Sequence, residues 1–283
     1  MKVKFTSFFE SDYKLLASIK SRYCNNKNYY KDLEFTVNDN YDKLVILTCP
    51  SIELFTKGFE ENKAVIFKTE PSASKFYEQN KFGRVEEMFL PLPFLFFNDI
   101  EKTNKKNKSI SSITSGLYSL PGQRRRLDLL RFLDGKIEID IWGNKPSYHL
   151  LSLKDYRGKL DNKSDGLWNY RYHFAAENIR ECGYFTEKII DPLLSETLCF
   201  YDGCPNLAEF IDERSFVQLN CEDKEHSLHI IKNYVSNNFY DKQLKYIKEQ
   251  KRRVITILNP LNIIWMSLHD KDVVKECKLS RAM

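Results

Sequence analysis

The stretch YRYHFAAENIRECGYFTEKIIDPLLSETLCFYDG, Tyr170–Gly203, decides the fold. YRYHFAA is an aromatic, apolar run that reads as a buried strand, and TLCFYDG, which ends at a glycine turn, reads as another. Between them, TEKIIDPLLSE carries apolar residues at helical spacing. Thr186 is placed to cap that helix through its hydroxyl oxygen, and Pro192 inside it is a candidate kink. Strands alternating with helices imply an open, largely parallel α/β sheet, because parallel neighbours need a crossover between them.

The same style extends in both directions. Upstream, GQRRRLDLLRFLDGK reads as a helix with Leu127, Leu130 and Leu133 on one side and Gly135 at its end, followed by the alternating strand KIEIDIWG. Ser111–Ser115 is a candidate strand. Downstream, a short helix starts at Pro205–Phe210, and a long one over Lys242–Leu258 stops at Asn259-Pro260. Near the amino terminus, Val3–Phe9, KLVILTC at 43–49 and AVIFKTE at 64–70 read as strands, and Tyr13, Leu15, Leu16 and Ile19 fall at helical spacing. The apolar, proline-bearing run Met88–Phe97 reads as a buried strand or loop at a domain interface. Lysine-rich EKTNKKNKS, Glu101–Ser109, reads as a linker. The resulting division is 1–105 as an amino-terminal domain, 106–258 as a carboxyl-terminal domain, and 259–283 as a tail packing back on the first. The expected architecture is two Rossmann-like domains facing a central cleft, with ligands outside the carboxyl ends of the strands.

The 283 residues suit two domains of ordinary size. With 42% hydrophobic and 14% aromatic residues, the chain buries a substantial core and is not disordered. A net charge of +5 is mild for a nucleic-acid binder, so no nucleic acid is expected; it suits a protein that grips a diphosphate, or simply a solvated basic surface. Seven cysteines, odd in number and without a CxxC pair, read as reduced thiols in a cytoplasmic protein, with Cys199 and Cys204 in core. The opening MKVKFTSFFESDYKLL lacks a signal-peptide core, and no run of ~18 apolar residues exists, so no transmembrane segment is expected.

Three features carry possible chemistry. Glu70 follows an apolar strand and precedes Pro71, where a cleft base would sit; a surface loop glutamate looks the same. Arg124-Arg125-Arg126 open a helix, where positive charge opposes the macrodipole and hints at a balancing anion; a basic helix cap on the surface is the plainer account. In GYFTEK, Lys188 repeats that misfit in a first turn, and Glu187 beside it is a candidate acceptor for ribose hydroxyls; a pair of solvated charges is the plainer account. There is no GxGxxG, Walker loop, HExxH or Ser-His-Asp pattern, and the five histidines are scattered, His173 reading as a core or interface residue. Asp270 and Asp272 lie in the tail, not at a strand end, so no metal is expected.

Tyr170–Asn220 resembles the signature region of the α-1,3/4-fucosyltransferases, glycosyltransferase family ten. The resemblance runs through Glu177-Asn178, Tyr184-Phe185-Thr186-Glu187-Lys188, Tyr201-Asp202-Gly203, Pro205 and Ser215-Phe216. Upstream, Arg126–Gly143 is similar to the family's arginine-led helix and strand, and FKTEPSAS at 67–74 to the loop with its catalytic glutamate. Ala176 stands where a phenylalanine is usual, and Ile179 where a serine is. The resemblance implies a GT-B fold and metal-independent, inverting transfer from GDP-fucose, without a cofactor, to a hydroxyl of a glycan acceptor. It implies Glu70 as general base, Arg126 and Lys188 on the diphosphate, Glu187 on the ribose, and Asn178 and Tyr184 lining the donor pocket. Glu177 and Gly203 are further candidates in that pocket. The same fold and mechanism with another GDP- or UDP-sugar is the alternative, and a non-catalytic carbohydrate- or nucleotide-binding protein a third. Abundant Lys, Asn and Ile point to a bacterium or virus with an AT-rich genome, which would place the protein in bacterial or host cytoplasm.

Overall fold

A computed structural model of the chain describes residues 1–72, 74, 83–97, 106–144 and 147–279. It divides into two compact units. The first opens with β1 (Lys2–Ser7), α1 (Asp12–Tyr23), β2 (Tyr29–Tyr30), β3 (Leu33–Thr36), β4 (Lys43–Leu47), α2 (Ile52–Lys57), β5 (Ala64–Phe67) and β6 (Arg84–Val85). These strands form one sheet in the order β2-β3-β1-β4-β5-β6, parallel except for β2 against β3. Leu44, Val45 and Ile46 of β4 are wholly buried, as expected of a parallel strand covered on both faces. α1 turns Leu15, Leu16 and Ile19 inward as their spacing predicted, together with Tyr23, whereas Tyr13, grouped with them in the sequence, is exposed.

The second unit contains β7 (Lys108–Ile113), α3 (Pro121–Leu133), β8 (Ile139–Trp142), α4 (Tyr148–Leu151), β9 (Tyr156–Gly158), β10 (Tyr170–Ala176), α5 (Glu187–Leu194), β11 (Leu198–Asp202), β12 (Phe216–Gln218), α6 (Lys224–Ser236) and α7 (Phe239–Thr256). Its sheet runs β12-β11-β10-β7-β8-β9 and is parallel throughout. The strand–helix–strand run from Tyr170 to Asp202 is β10-α5-β11, with β10 and β11 paired from Tyr172–Leu198 to Ala176–Asp202. Gly135 takes a φ of +72° just beyond α3, the left-handed conformation that ends helices and favours glycine.

The chain then returns to the first unit through α8 (Pro260–Leu268) and α9 (Val273–Cys277). Trp265 Nε1 donates to Asp32 Oδ1 at 2.6 Å, Lys31 Nζ to Asn262 Oδ1 at 2.7 Å, and Arg84 Nη2 to the Ser267 carbonyl at 2.7 Å. No helix among the described residues is long and apolar enough to cross a membrane.

Some sequence-predicted boundaries move. Residues 101–105 of the expected linker lie outside the described residues, whereas Lys108 and Ser109 already belong to β7. Pairing with β10 extends that strand: Lys108 is opposite Tyr170, and its Nζ donates to the Tyr170 hydroxyl at 3.2 Å. The short helix expected from Pro205 is a 3-10 turn at Leu207–Glu209, and the long helix starts at Phe239 rather than Lys242.

Candidate active site

The site is assembled at the carboxyl end of β10, where α/β sheets place ligands. α3 reaches that strand end through Gly122, whose amide donates to the Asn178 carbonyl at 2.8 Å. A Cβ on Gly122 would stand 1.9 Å from the Glu177 carbonyl oxygen, so only glycine permits this approach. The helix start is tied down by Gln123, whose Oε1 accepts from the amides of Ser119 at 3.1 Å and Leu120 at 3.0 Å.

That seating carries Arg126 into the interior, where it is 4% exposed and Nη1 donates to the Ala176 carbonyl at 2.7 Å. Its Nε has no hydrogen-bond partner. Burial pulls the guanidinium below its usual pKa, against the attraction of Glu177. The other two arginines of the triplet turn to groups outside the cavity, and Arg125 Nε and Nη2 likewise have no hydrogen-bond partner. Arg124 donates to the carbonyls of Tyr118 and Ser119, and Arg125 Nε lies 3.8 Å from Asp202 Oδ2.

Glu177, a further candidate for the pocket, is fully buried and lies behind the cavity wall, not in it. Its carboxylate accepts from the amide and hydroxyl of Thr186, both at 2.9 Å, and from the Tyr201 hydroxyl at 3.2 Å. Lys188 Nζ sits 3.3 Å from its Oε2. Thr186 caps α5, its hydroxyl oxygen accepting from the Lys188 amide. Lys188 Nζ also donates to Glu187 Oε1 at 3.1 Å. Burial works against ionisation of both partners, but the attraction of Glu177 and Glu187 outweighs it and raises the Lys188 pKa. Likewise Lys188 and Lys163 overcome burial at Glu187 and hold its carboxyl below the usual range.

Arg126, Asn178, Glu187 and Lys188 thus line one cavity of about 530 Å³ in the second unit. The structure does not bring every candidate there. Tyr184 is 2% exposed and sits in the core off the cavity wall. Gly203 also lies off the wall: a Cβ there would meet the Tyr201 hydroxyl at 2.3 Å and Glu177 Cγ at 2.6 Å, so this glycine makes room for the Glu177 network. Glu70 is in the first unit, half-buried just beyond β5. Its neighbour Thr69 shares a hydroxyl hydrogen bond with Thr48, which ties the loop after β5 to the end of β4.

Sequence reasoning missed two further features. Lys163 Nζ bonds Asp191 Oδ2 at 2.7 Å, and Asp191 Oδ1 accepts from the amides of Phe94 and Leu95. His173, read as a core or interface residue, is buried and also lines the cavity. Its signal was strand alternation, which puts it on the same face as Ala175 and Glu177.

Two parallel-sheet Rossmann-like units, one with a cationic cavity at a strand's carboxyl end, define the GT-B class of glycosyltransferase folds. The family model "Glycosyltransferase family 10 (fucosyltransferase) C-term" matches residues 103–258, and the chain belongs to that family. The α-(1,3)-fucosyltransferase FucT of Helicobacter pylori is 33% identical over 107 residues, which is 37% of this chain and spans a fifth (20%) of that relative's length. A crystal structure of an α1,3-fucosyltransferase with GDP superposes with a TM-score of 0.55 at 18% identity, covering 86% of this chain and 81% of that one. Another α1,3-fucosyltransferase structure superposes at 0.56 with 16% identity, covering 97% and 91%. Staphylococcus aureus TarM, solved with UDP, superposes at 0.51 with 10% identity, over 81% of this chain and 56% of that one. These likenesses establish the shared fold.

Proposed function

We propose that the protein transfers L-fucose from GDP-fucose to a hydroxyl of an oligosaccharide, with inversion and without a metal. The observation that carries this reading is the pair of cations, buried Arg126 and half-buried Lys188, in one cavity at the end of β10. Both are held in place by protein acceptors, so no reorganisation is needed when a diphosphate arrives. In the reaction, Glu70 takes the proton of the acceptor hydroxyl as its oxygen bonds to C1 of the sugar. The C1–O bond to the β-phosphate breaks, and its electron pair leaves on GDP, whose charge Arg126 and Lys188 offset. Glu187 holds the ribose, Asn178 lines the donor pocket, and Tyr184 supports it from the core.

A nucleotide panel in a thermal-shift assay, followed by a mass-spectrometric donor screen with galactose- and N-acetylglucosamine-containing acceptors, tests the reading. Stabilisation by GDP and product from GDP-fucose are expected. Stabilisation by UDP and not GDP would overturn the donor assignment in favour of another nucleotide sugar.

A further inference from the structure

We infer that His173 reads the base of the nucleotide, its Nε2 accepting a hydrogen bond from a ring N–H at the inner end of the cavity. The inference rests on the cavity being a nucleoside-diphosphate site. His173 is 3% exposed, on β10 below Ala175, and its ring lines the cavity. Its protonation is set by a chain of two hydrogen bonds. The Ser111 hydroxyl spends its only hydrogen on the Gly166 carbonyl at 2.6 Å, so its contact with His173 Nδ1, at 2.8 Å, must be donated by the imidazole. Nδ1 therefore carries the ring proton and Nε2 a lone pair. Burial, reinforced by Lys163 and Lys106, pushes the His173 pKa down to about 3, so the ring stays neutral at working pH. Nε2 meets no hydrogen-bond partner among the described residues. A neutral imidazole on the cavity wall offers that lone pair to a ligand donor.

The surroundings choose the ligand group. Ile113, Leu160, Leu167, Phe94 and Pro192 share this cavity with His173. A heteroaromatic base has two apolar faces and an N–H edge, which fits the His173 acceptor beside these apolar side chains, while the polar Thr114, Asn144 and Asp161 of the same cavity remain for its other polar groups. The cationic end of the cavity, with Arg126 and Lys188, is left to the diphosphate.

Titration calorimetry of the full chain tests this with GDP, N1-methyl-GDP and inorganic pyrophosphate. His173→Asn keeps an amide where Nδ1 bonds Ser111 but loses the Nε2 acceptor; His173→Gln reaches toward the Nε2 position. The Asn variant is expected to bind GDP roughly tenfold more weakly, with pyrophosphate affinity unchanged and part of the loss recovered by Gln. N1-methyl-GDP should bind the wild type as weakly as GDP binds the Asn variant, with no further loss when the two changes are combined. Wild-type GDP affinity in the Asn variant, or an equal loss for pyrophosphate, overturns the inference. A loss confined to GDP-fucose would assign His173 to the sugar and overturn it too. If the wild type binds UDP and not GDP, the donor assignment fails while 3-methyl-UDP still tests His173; binding of neither removes both.

Discussion

Lys188 Nζ stands 3.3 Å from Oε2 of Glu177, a carboxylate with no solvent exposure. A buried carboxylate survives only when charge and hydrogen bonds replace water, and here Thr186, Tyr201 and Lys188 do so together. Glu177→Ala should therefore destabilise the protein by about 3 kcal/mol, since Lys188 and the Thr186 donors lose their shared acceptor. Urea denaturation measures this, and an unchanged midpoint would mean the network contributes nothing to folding.

Lys188→Ala removes a cation from the cavity and leaves Glu177 with three donors from Thr186 and Tyr201. GDP affinity should fall by about 1.5–3 kcal/mol, the value of a charged hydrogen bond. Unaltered affinity in calorimetry would move the diphosphate site away from α5.

The elements that made the fold legible were those where local pattern and burial coincide. LVIL at 44–47 and LCFY at 198–201 are continuous apolar runs because both faces of their sheets are covered. Leu127, Leu130 and Leu133 announced α3 by spacing, and all are buried. The site was legible only in part. The arginine triplet signalled unbalanced charge at a helix start, but charge pattern cannot name the balancing group. Carbonyls satisfy Arg124 and Asp202 lies beside Arg125, while Arg126 alone of the three lines the cavity. Glu177 in its structural role, Lys163 with Asp191, and the Ser111–His173 bond depend on contacts between residues distant in sequence, which no local period encodes. Short strands such as β6 and β9 exist by pairing with neighbours rather than by their own composition.

Glu70→Gln keeps the size of the side chain at the end of β5 but cannot accept a proton. Transfer should drop by at least the 10²–10⁴-fold typical of a general base, while GDP affinity stays at the wild-type value. Single-turnover assay with GDP-fucose measures the first and calorimetry the second. Transfer at the wild-type rate would remove Glu70 from the chemistry.

Asp202 is wholly buried and accepts two bonds from Arg180, at 2.6 and 2.8 Å, plus the Cys221 amide at 3.0 Å. Burial alone would raise its pKa, but Arg180 and the Cys221 bonds prevail and hold it below the ordinary value. A depressed folded pKa contributes stability that is complete above the unfolded value, about 3.9, and disappears as pH falls through the folded value. Asp202→Asn should therefore be clearly less stable than wild type at pH 6, and the gap should close on acidification below about pH 4. Urea midpoints measured across that range decide it, and a gap independent of pH would assign the cost to packing instead of charge.

Gly122→Ala tests whether the cation site depends on how closely α3 meets β10. Alanine is the better helix former, by up to about 1 kcal/mol, so propensity alone predicts stabilisation. The added Cβ would meet two backbone carbonyl oxygens, at 1.9 Å from Glu177 and 2.5 Å from Asn178, and neither belongs to a side chain that can turn aside. Sterics should win: the helix start must retreat, the Gly122–Asn178 bond breaks, and Arg126 is drawn off the Ala176 carbonyl. Loss of stability together with weakened GDP binding is expected from denaturation and calorimetry on the same variant. Stability raised with GDP affinity intact would mean that α3 can shift without consequence, and that Arg126 is not positioned by this contact.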